Sequence, residues 1–315
     1  MTITEIANRI KSLKSALIFC HIRPDGDTLS CAFALKEALF RIGVTSEVVC
    51  GEQIPEKYSQ TGLFGKAYTE PPAGYESAIA VDCATPDLMG RPYAFFERVK
   101  GSFCIDHHPT NTRYAAYTFV KAAASCSMIV CKLIEEMGVE IDEKLANLLL
   151  VGIITDSGSF SHTNTDAECL SLAAKLCKKG GDIPRLNRLL FCNKKKEEVF
   201  LKVEVMSKMK FFLDDKLAII TVRKDLLEKY NLDRSATEGF IDFPLTVKSV
   251  EVAISMLEAD DKKFKLSFRS KTVDVSKIAG VFGGGGHAQA AGAMLCGYYE
   301  DVLDKLVFTV GNYLC

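Results

Sequence analysis

The chain has 315 residues, 48% of them apolar and 25% charged, a balance that excludes a disulfide-stapled peptide, a disordered tail and a membrane-embedded bundle. Its 39 Lys and Arg against 40 Asp and Glu leave a net charge of -1, which argues against a basic surface that tracks long nucleic acid by releasing counterions. Any nucleic-acid substrate is therefore expected to be short. No run approaches the roughly 20 apolar residues of a membrane span, and the first residues lack a charged-then-apolar secretory pattern, so a cytoplasmic protein without membrane contact is expected. The 12 cysteines are scattered, form no CxxC and sit in apolar runs such as ALIFC and EVVC, as buried thiols do.

In chain order, the first half alternates short apolar runs with helical patterns. Residues 16–20 read as a strand, 29–42 as an amphipathic helix stopped by Gly43, and 47–50, 77–82 and 102–106 as further strands. This rhythm predicts an α/β fold with a mostly parallel sheet covered by helices. Three of those strands run into polar segments, 21–27, Asp82 and 106–108, and open α/β sheets collect ligands at the carboxyl ends of their strands. Helices are expected over 125–137, 142 to about 155 and 165–179, the last with Thr165 and Glu168 spaced as a capping box.

The charged stretch from Arg185 to Lys210 reads as a helical connector, with Lys194, Lys195, Lys196, Glu197 and Glu198 on a solvated face. Beyond it, 217–222 reads as a strand, and 250–257 with 264–268 as a hairpin around Asp260-Asp261-Lys262. A glycine run then leads into an expected small-residue helix at 287–291, followed by 293–296. The expected domains are a larger one over 1–185, the connector over 186–210 and a smaller α/β domain over 211–315.

The chemistry concentrates in four places. His21-Ile22-Arg23-Pro24-Asp25-Gly26-Asp27 places one imidazole and two carboxylates within seven residues, and Pro24 with Gly26 forces a turn that can aim them at one point. Oxygen donors with some nitrogen suit Mn²⁺ or Mg²⁺ better than a thiolate-seeking metal. Asp106-His107-His108 ends a strand, where neighbouring histidines are expected on opposite sides, one toward a metal and the other toward a phosphate or the protein. The chain has five histidines, at 21, 107, 108, 162 and 287, each in or beside a polar motif, which a core-filling role would not produce.

Asp82 ends an apolar strand, and Asp156 ends an apolar helix in Thr155-Asp156-Ser157-Gly158-Ser159-Phe160. Either alone reads more readily as a helix cap or a solvated turn residue than as a ligand. Together, Asp25, Asp27, Asp82 and Asp156 supply four negative charges, the number that balances two divalent cations. In the C-terminal part, Gly283, Gly284, Gly285 and Gly286 let main-chain N–H groups approach an anion, and the helix expected after them would turn its positive end toward it. Arg269, beside Ser267, and His287 are candidate further phosphate contacts.

HIRPDGD, VDCATPD, IDHH and TDSGSF, in this order and at this spacing, resemble the four motifs of the DHH phosphoesterases, and FRS followed by GGGGH resembles their smaller DHHA1 domain. The resemblance covers essentially the whole chain. The compact two-domain form is similar to bacterial nano-RNases, oligoribonucleases that also dephosphorylate 3′-phosphoadenosine-5′-phosphate. This resemblance implies two Mn²⁺ ions, with Mg²⁺ or Co²⁺ as alternatives. His21, Asp25 and Asp82 would hold one ion and Asp27, Asp82, His107 and Asp156 the other, with Asp82 bridging. It also implies that Asp106 orients a histidine, that His108 contacts the phosphate, and that Ser267, Arg269, the four glycines and His287 clamp the nucleotide. Related proteins are often dimers through the larger domain, so a homodimer is among its implications. The sequence departs from the common pattern at Leu88, where arginine is frequent, and at Ser157, where threonine is usual; neither is an implied ligand.

The implied activity is two-metal hydrolysis of short oligoribonucleotides or small phosphorylated nucleotides. A cyclic- or linear-dinucleotide phosphodiesterase would share the metal core, but such enzymes usually carry membrane and sensory domains. A RecJ-like single-strand exonuclease would need a further nucleic-acid-binding domain, and a family II pyrophosphatase would lack GGGGH. From another class, a nucleotide-binding regulator would have lost a ligand, whereas all six implied ligands are present.

Overall fold

The computed structural model describes residues 1–314, which fall into two compact units, residues 1–193 and 194–314. In the first unit the elements run α1 (Ile3–Lys11), β1 (Ser15–Phe19), α2 (Gly26–Arg41), β2 (Thr45–Val49), α3 (Glu56–Ser59), β3 (Ala67–Tyr68), β4 (Ser77–Val81), α4 (Tyr93–Phe96), β5 (Gly101–Asp106) and β6 (Tyr117–Val120). Four longer helices follow: α5 (Cys126–Glu136), α6 (Glu143–Asp156), α7 (Ala167–Lys178) and α8 (Ile183–Phe191). The strands form one fully parallel sheet in the order β3-β2-β1-β4-β5-β6.

The apolar runs read from the sequence are strands because both sheet faces are covered. On one face Ile18, Val48, Ile79 and Ile105 pack into a core shared with α2, α5 and α6; on the other, Leu17, Phe19, Val49 and Ala80 meet Phe96. The chain leaves β1 to one side to make β2 and later returns to its other side to make β4. That reversal opens a crevice beyond the carboxyl ends of β1 and β4, where loops cannot cross and ligands bind. α1, which the sequence reading passed over, is fixed by a capping box between Thr2 and Glu5.

The helix expected from Thr165 is capped one residue later: Asp166 accepts the N–H of Cys169 at 2.8 Å, and the Thr165 hydroxyl has no partner. Asp competes well for that position because its carboxylate also answers the helix dipole. The segment read as a connector is two helices: α8 sends Leu186 and Leu190 into the first core, and α9 (Lys196–Ser207) sends Leu201 and Val205 into a core of the second unit.

The second unit continues with β7 (Lys210–Phe212), β8 (Leu217–Val222), α10 (Lys224–Lys229), β9 (Val252–Asp260), β10 (Lys263–Ser270), α11 (Val275–Val281), β11 (Gly285–His287), β12 (Ala290–Cys296) and α12 (Tyr299–Gly311). Its sheet has the order β11-β12-β10-β9-β8-β7, with β8 and β9 parallel and the other pairs antiparallel. The small-residue helix expected at 287–291 is instead the turn and flanking strands of the β11–β12 hairpin. Ala favours a helix locally, but here a close fit decides: a Cβ on Gly284 would lie 2.1 Å from the Gly292 carbonyl, and Gly285 pairs with Gly292. No described helix is long and apolar enough to cross a membrane.

Candidate metal centre

Four segments converge on the crevice of the first unit. Asp25 caps α2, its Oδ1 accepting the N–H groups of Asp27 at 3.0 Å and Thr28 at 3.1 Å. Cap and site are thus one residue, and the turn of Pro24 and Gly26 divides its polar groups. His21 Nε2 lies 3.4 Å from Asp25 Oδ1 and 3.9 Å from Asp82 Oδ2. Asp27, the second residue of α2, points elsewhere: its Oδ2 accepts the N–H of Cys126 at 2.5 Å, and its Oδ1 accepts the N–H and hydroxyl of Ser127 at 2.9 and 2.5 Å. The expectation that all three would meet at one point gives way to two neighbouring groups.

Asp82 follows β4 with φ +56°, a left-handed conformation that costs a non-glycine residue and that sites of function often hold. It is buried, and its Oδ1 accepts no hydrogen bond. His107 Nε2 lies 3.4 Å from that atom and 3.6 Å from Asp156 Oδ2, while its Nδ1 contacts the Ala123 carbonyl at 3.0 Å. His108 Nδ1 lies 3.5 Å from Asp82 Oδ1 and 2.8 Å from Asp106 Oδ1. The two histidines therefore do not point to opposite sides; their rings stand edge to face with centres 4.3 Å apart. β5 ends at Asp106, so strand alternation no longer governs them.

Three sets of side chains can each close on a cation, with ligand atoms within 4.8 Å of one another: His21, Asp25 and Asp82; Asp27, His107 and Asp156; and Asp82, His107 and His108. The charges behave as such a cage requires. Burial, then the neighbouring Asp27, pushes the carboxyls of Asp82 and Asp156 well above the usual range, and burial raises Asp27 as well. Burial opposes charge at Asp25, but the hydrogen bond and charge of His21 and the main-chain N–H groups outweigh it and lower that carboxyl. Burial likewise opposes charge at His107, but Asp27, the Ala123 carbonyl and Asp156 raise its pKa. An enclosed carboxylate oxygen without a hydrogen-bond donor, among like charges and imidazole nitrogens, fits a divalent ion with oxygen and nitrogen ligands.

Asp106 is fully buried and positions rather than joins a cage. Its Oδ1 holds His108 and accepts the N–H of His107 at 2.8 Å; its Oδ2 accepts Asn111 Nδ2 at 2.7 Å. Sequence reading missed Asn111, Ser127 and Gly152. Asn111 left no pattern, but a lone glycine in LLLVGIITD was a readable sign of close helix approach: a Cβ there would lie 2.4 Å from Asp27 Oδ1.

In the second unit, register joins the other candidates. Ser267 pairs with Gly292, which pairs with Gly285; Arg269 pairs with Ala290, which pairs with His287. Two rows thus cross β10, β12 and β11, with small residues between the polar ones. Gly283 and Gly286 adopt φ +72° and +147°, open to glycine. The glycines run directly into the β11–β12 hairpin and not into a helix, so the expected dipole contribution to anion binding is not made there, whereas Arg269, 3.6 Å from Asp242 Oδ1, remains half-exposed.

A parallel sheet with carboxylates and imidazoles gathered at its switch point could hold divalent cations, an arrangement of the kind used to hydrolyse phosphoesters. Residues 15–153 match the model of the DHH family, N-terminal domain, and residues 214–314 that of the DHHA1 domain. A bifunctional oligoribonuclease and PAP phosphatase NrnA of Thermus thermophilus is 30% identical, over 96% of this chain and 92% of that protein. A protein of the same name from Bacillus subtilis is 24% identical over 96% of each. The crystal structure of an exopolyphosphatase-related protein from Bacteroides fragilis shares the fold with a TM-score of 0.89, at 21% identity over 99% of this chain and 96% of that one. The chain belongs to the DHH family and is a hydrolase acting on phosphoester bonds; members of that family use divalent metals.

Proposed function

We propose that the chain degrades short oligoribonucleotides to mononucleotides and converts 3′-phosphoadenosine-5′-phosphate to AMP with two divalent ions, Mn²⁺ by preference, in the cytoplasm. The observation that carries the metal reading is Asp82 Oδ1, buried without a hydrogen bond where the His21 and His107 groups meet. The substrate reading is supported by the printed activity of relatives that span nearly the whole chain. His21, Asp25 and Asp82 would hold one ion and Asp27, Asp82, His107 and Asp156 the other. When bound, such ions make water a nucleophile at neutral pH and neutralise charge on the phosphoryl oxygens.

The side chains supply the rest. With Nδ1 hydrogen-bonded to Asp106, His108 would have its Nε2 left for a proton that donates to a phosphoryl oxygen. Burial opposes charge on Asp106, but the hydrogen bond and charge of His108 and the hydrogen bond of Asn111 hold its carboxyl below the usual range. Arg269 and His287 would grip a terminal phosphate, with Ser267, Gly283, Gly284, Gly285 and Gly286 forming a shallow floor for its nucleoside. In the net reaction water adds to phosphorus, the P–O bond to the leaving hydroxyl breaks, and that oxygen takes a proton.

The test is product analysis with Mn²⁺ on RNAs from two nucleotides upward, beside 3′-phosphoadenosine-5′-phosphate. Mononucleotides from the shortest RNAs and AMP from the bisphosphate are expected. Equal turnover of a dinucleotide and a long single strand, or no hydrolysis of either substrate, would overturn the reading.

A further inference from the structure

A cleft of the first unit that is free of the metal-centre residues lies at the opposite end of its sheet. It encloses about 730 Å³ between the C-terminal half of α2, the start of β2, the loop around Phe64 and the first turns of α6, a volume that suits a small organic ligand. α2 lines it with Phe33, Lys36, Glu37 and Phe40, which the i, i+3, i+4, i+7 spacing sets on one face. Phe33 packs on Phe64 with ring centres 5.4 Å apart at the base. Two helical turns on, Phe40 stands 76% exposed at the rim, on a helix most of whose residues are buried.

Ser46 supplies the polar complement. It lines the cleft, is only 8% exposed, and its hydroxyl has no hydrogen-bond partner. Its main chain faces the β3 side of the sheet. Thr45 donates its N–H toward β1, to Lys14, and alternation along a strand turns the N–H and C=O of Ser46 the other way. β1 pairs with Ser46, through Ala16, from the other side, and on this side β3 begins only opposite Val48. Ser46 thus turns its main-chain groups toward the sheet edge beside β3 and adds a hydroxyl that burial makes costly to leave unpaired.

The charges in the cleft cancel. Lys36 pairs with Glu47, and Lys144 with Glu37 at 2.5 Å, so neither a polyanion nor a cation is favoured. Aromatic walls, an edge that reads hydrogen-bond patterns and a neutral lining describe a flat, uncharged nitrogen heterocycle. We propose that this cleft binds a nucleobase or nucleoside, its edge on Ser46 and its face against Phe40. The site is separate from the metal centre: Asp27 and Phe40 are 13 residues apart on one helix, about 20 Å at ~1.5 Å per residue.

Equilibrium dialysis of the full chain in EDTA against labelled adenosine, with uridine in parallel, tests this without reference to hydrolysis. Saturable binding of at least one nucleoside is expected. Phe40→Ala should weaken it about tenfold or more, the usual effect of losing a base–aromatic stack, while leaving the melting temperature unchanged. Ser46→Val, which replaces the hydroxyl by a methyl, should weaken it too, and Asp82→Asn should not. The proposal is overturned if neither nucleoside binds saturably, if Phe40→Ala binds as tightly as the parent, or if Asp82→Asn abolishes binding.

Discussion

Replacing Gly152 by alanine probes how the metal centre is held. The new Cβ would sit 2.0 Å from Ser127 Oγ, 2.4 Å from Asp27 Oδ1 and 2.9 Å from Ser127 Cβ. Ordinary contact begins near 3.4 Å, so the carboxylate oxygen must retreat by about 1.0 Å and the hydroxyl by about 1.4 Å. Neither has room: both residues are fully buried, and both main-chain donors at the start of α5 hold Asp27. Overpacking costs about 1 to 3 kcal/mol and a weakened hydrogen bond to a charged group about 1.5 to 3 kcal/mol. Better helix propensity returns about 1 kcal/mol. The net loss of about 1.5 to 5 kcal/mol should lower the melting temperature of this unit by roughly 3 to 20 °C. A 1 Å shift of a reacting-site carboxylate should cut turnover about 100-fold. Differential scanning calorimetry and Mn²⁺-dependent hydrolysis of a diribonucleotide measure the two effects. Gly280→Ala in α11, where no atom lies within 4 Å, is the control and should melt at or slightly above the parent temperature. A Gly152→Ala protein with parental melting and turnover would refute the reasoning; reduced melting with full turnover would refute the role given to Asp27.

Asp82→Asn should abolish hydrolysis yet raise the melting temperature of the metal-free protein, because it removes a buried charge that neighbouring carboxylates repel; calorimetry in EDTA checks the sign. Adding Mn²⁺ to the stripped parent at about 100 times its dissociation constant should stabilise it by about 2.7 kcal/mol, and Asp82→Asn should lose most of that gain. Asn111→Ala strips a donor from Asp106 and should lower kcat more than it raises KM, at a stability loss of about 1 to 3 kcal/mol seen by urea denaturation. Glu204, hydrogen-bonded by Lys229, Lys208 and Tyr230, is held down to about 2 from 4.5. A depressed carboxyl stabilises fully above its unfolded value and loses that contribution as pH falls through the folded one. Acid titration of the parent between pH 4.5 and 2 should therefore show a loss that Glu204→Gln lacks.

Much of the centre was legible because its residues follow local rules. The strands feeding it are buried on both faces and read as apolar runs, and each releases its polar residues where the sheet ends. The hairpin at 285–296 was not legible, since alanine and glycine report no periodicity and only the fit of Gly284 against Gly292 selects a strand. Nor was the pairing of His107 with His108, because the strand geometry used to separate them stops one residue earlier.

By itself the sequence determined which groups were available: four aspartates and two imidazoles at the ends of apolar elements, in a motif order shared with a family. Which of them meet was decided by tertiary structure. Asp27 leaves its neighbours His21 and Asp25 for residues 100 positions away because the start of α5 offers its carboxylate two main-chain donors. Asp82 gains its unpartnered oxygen only when β1, β4 and β5 lie side by side and close water out. The side-chain list is a property of the chain, whereas desolvation and mutual repulsion, which make those side chains a cation site, exist only between segments that folding brings together.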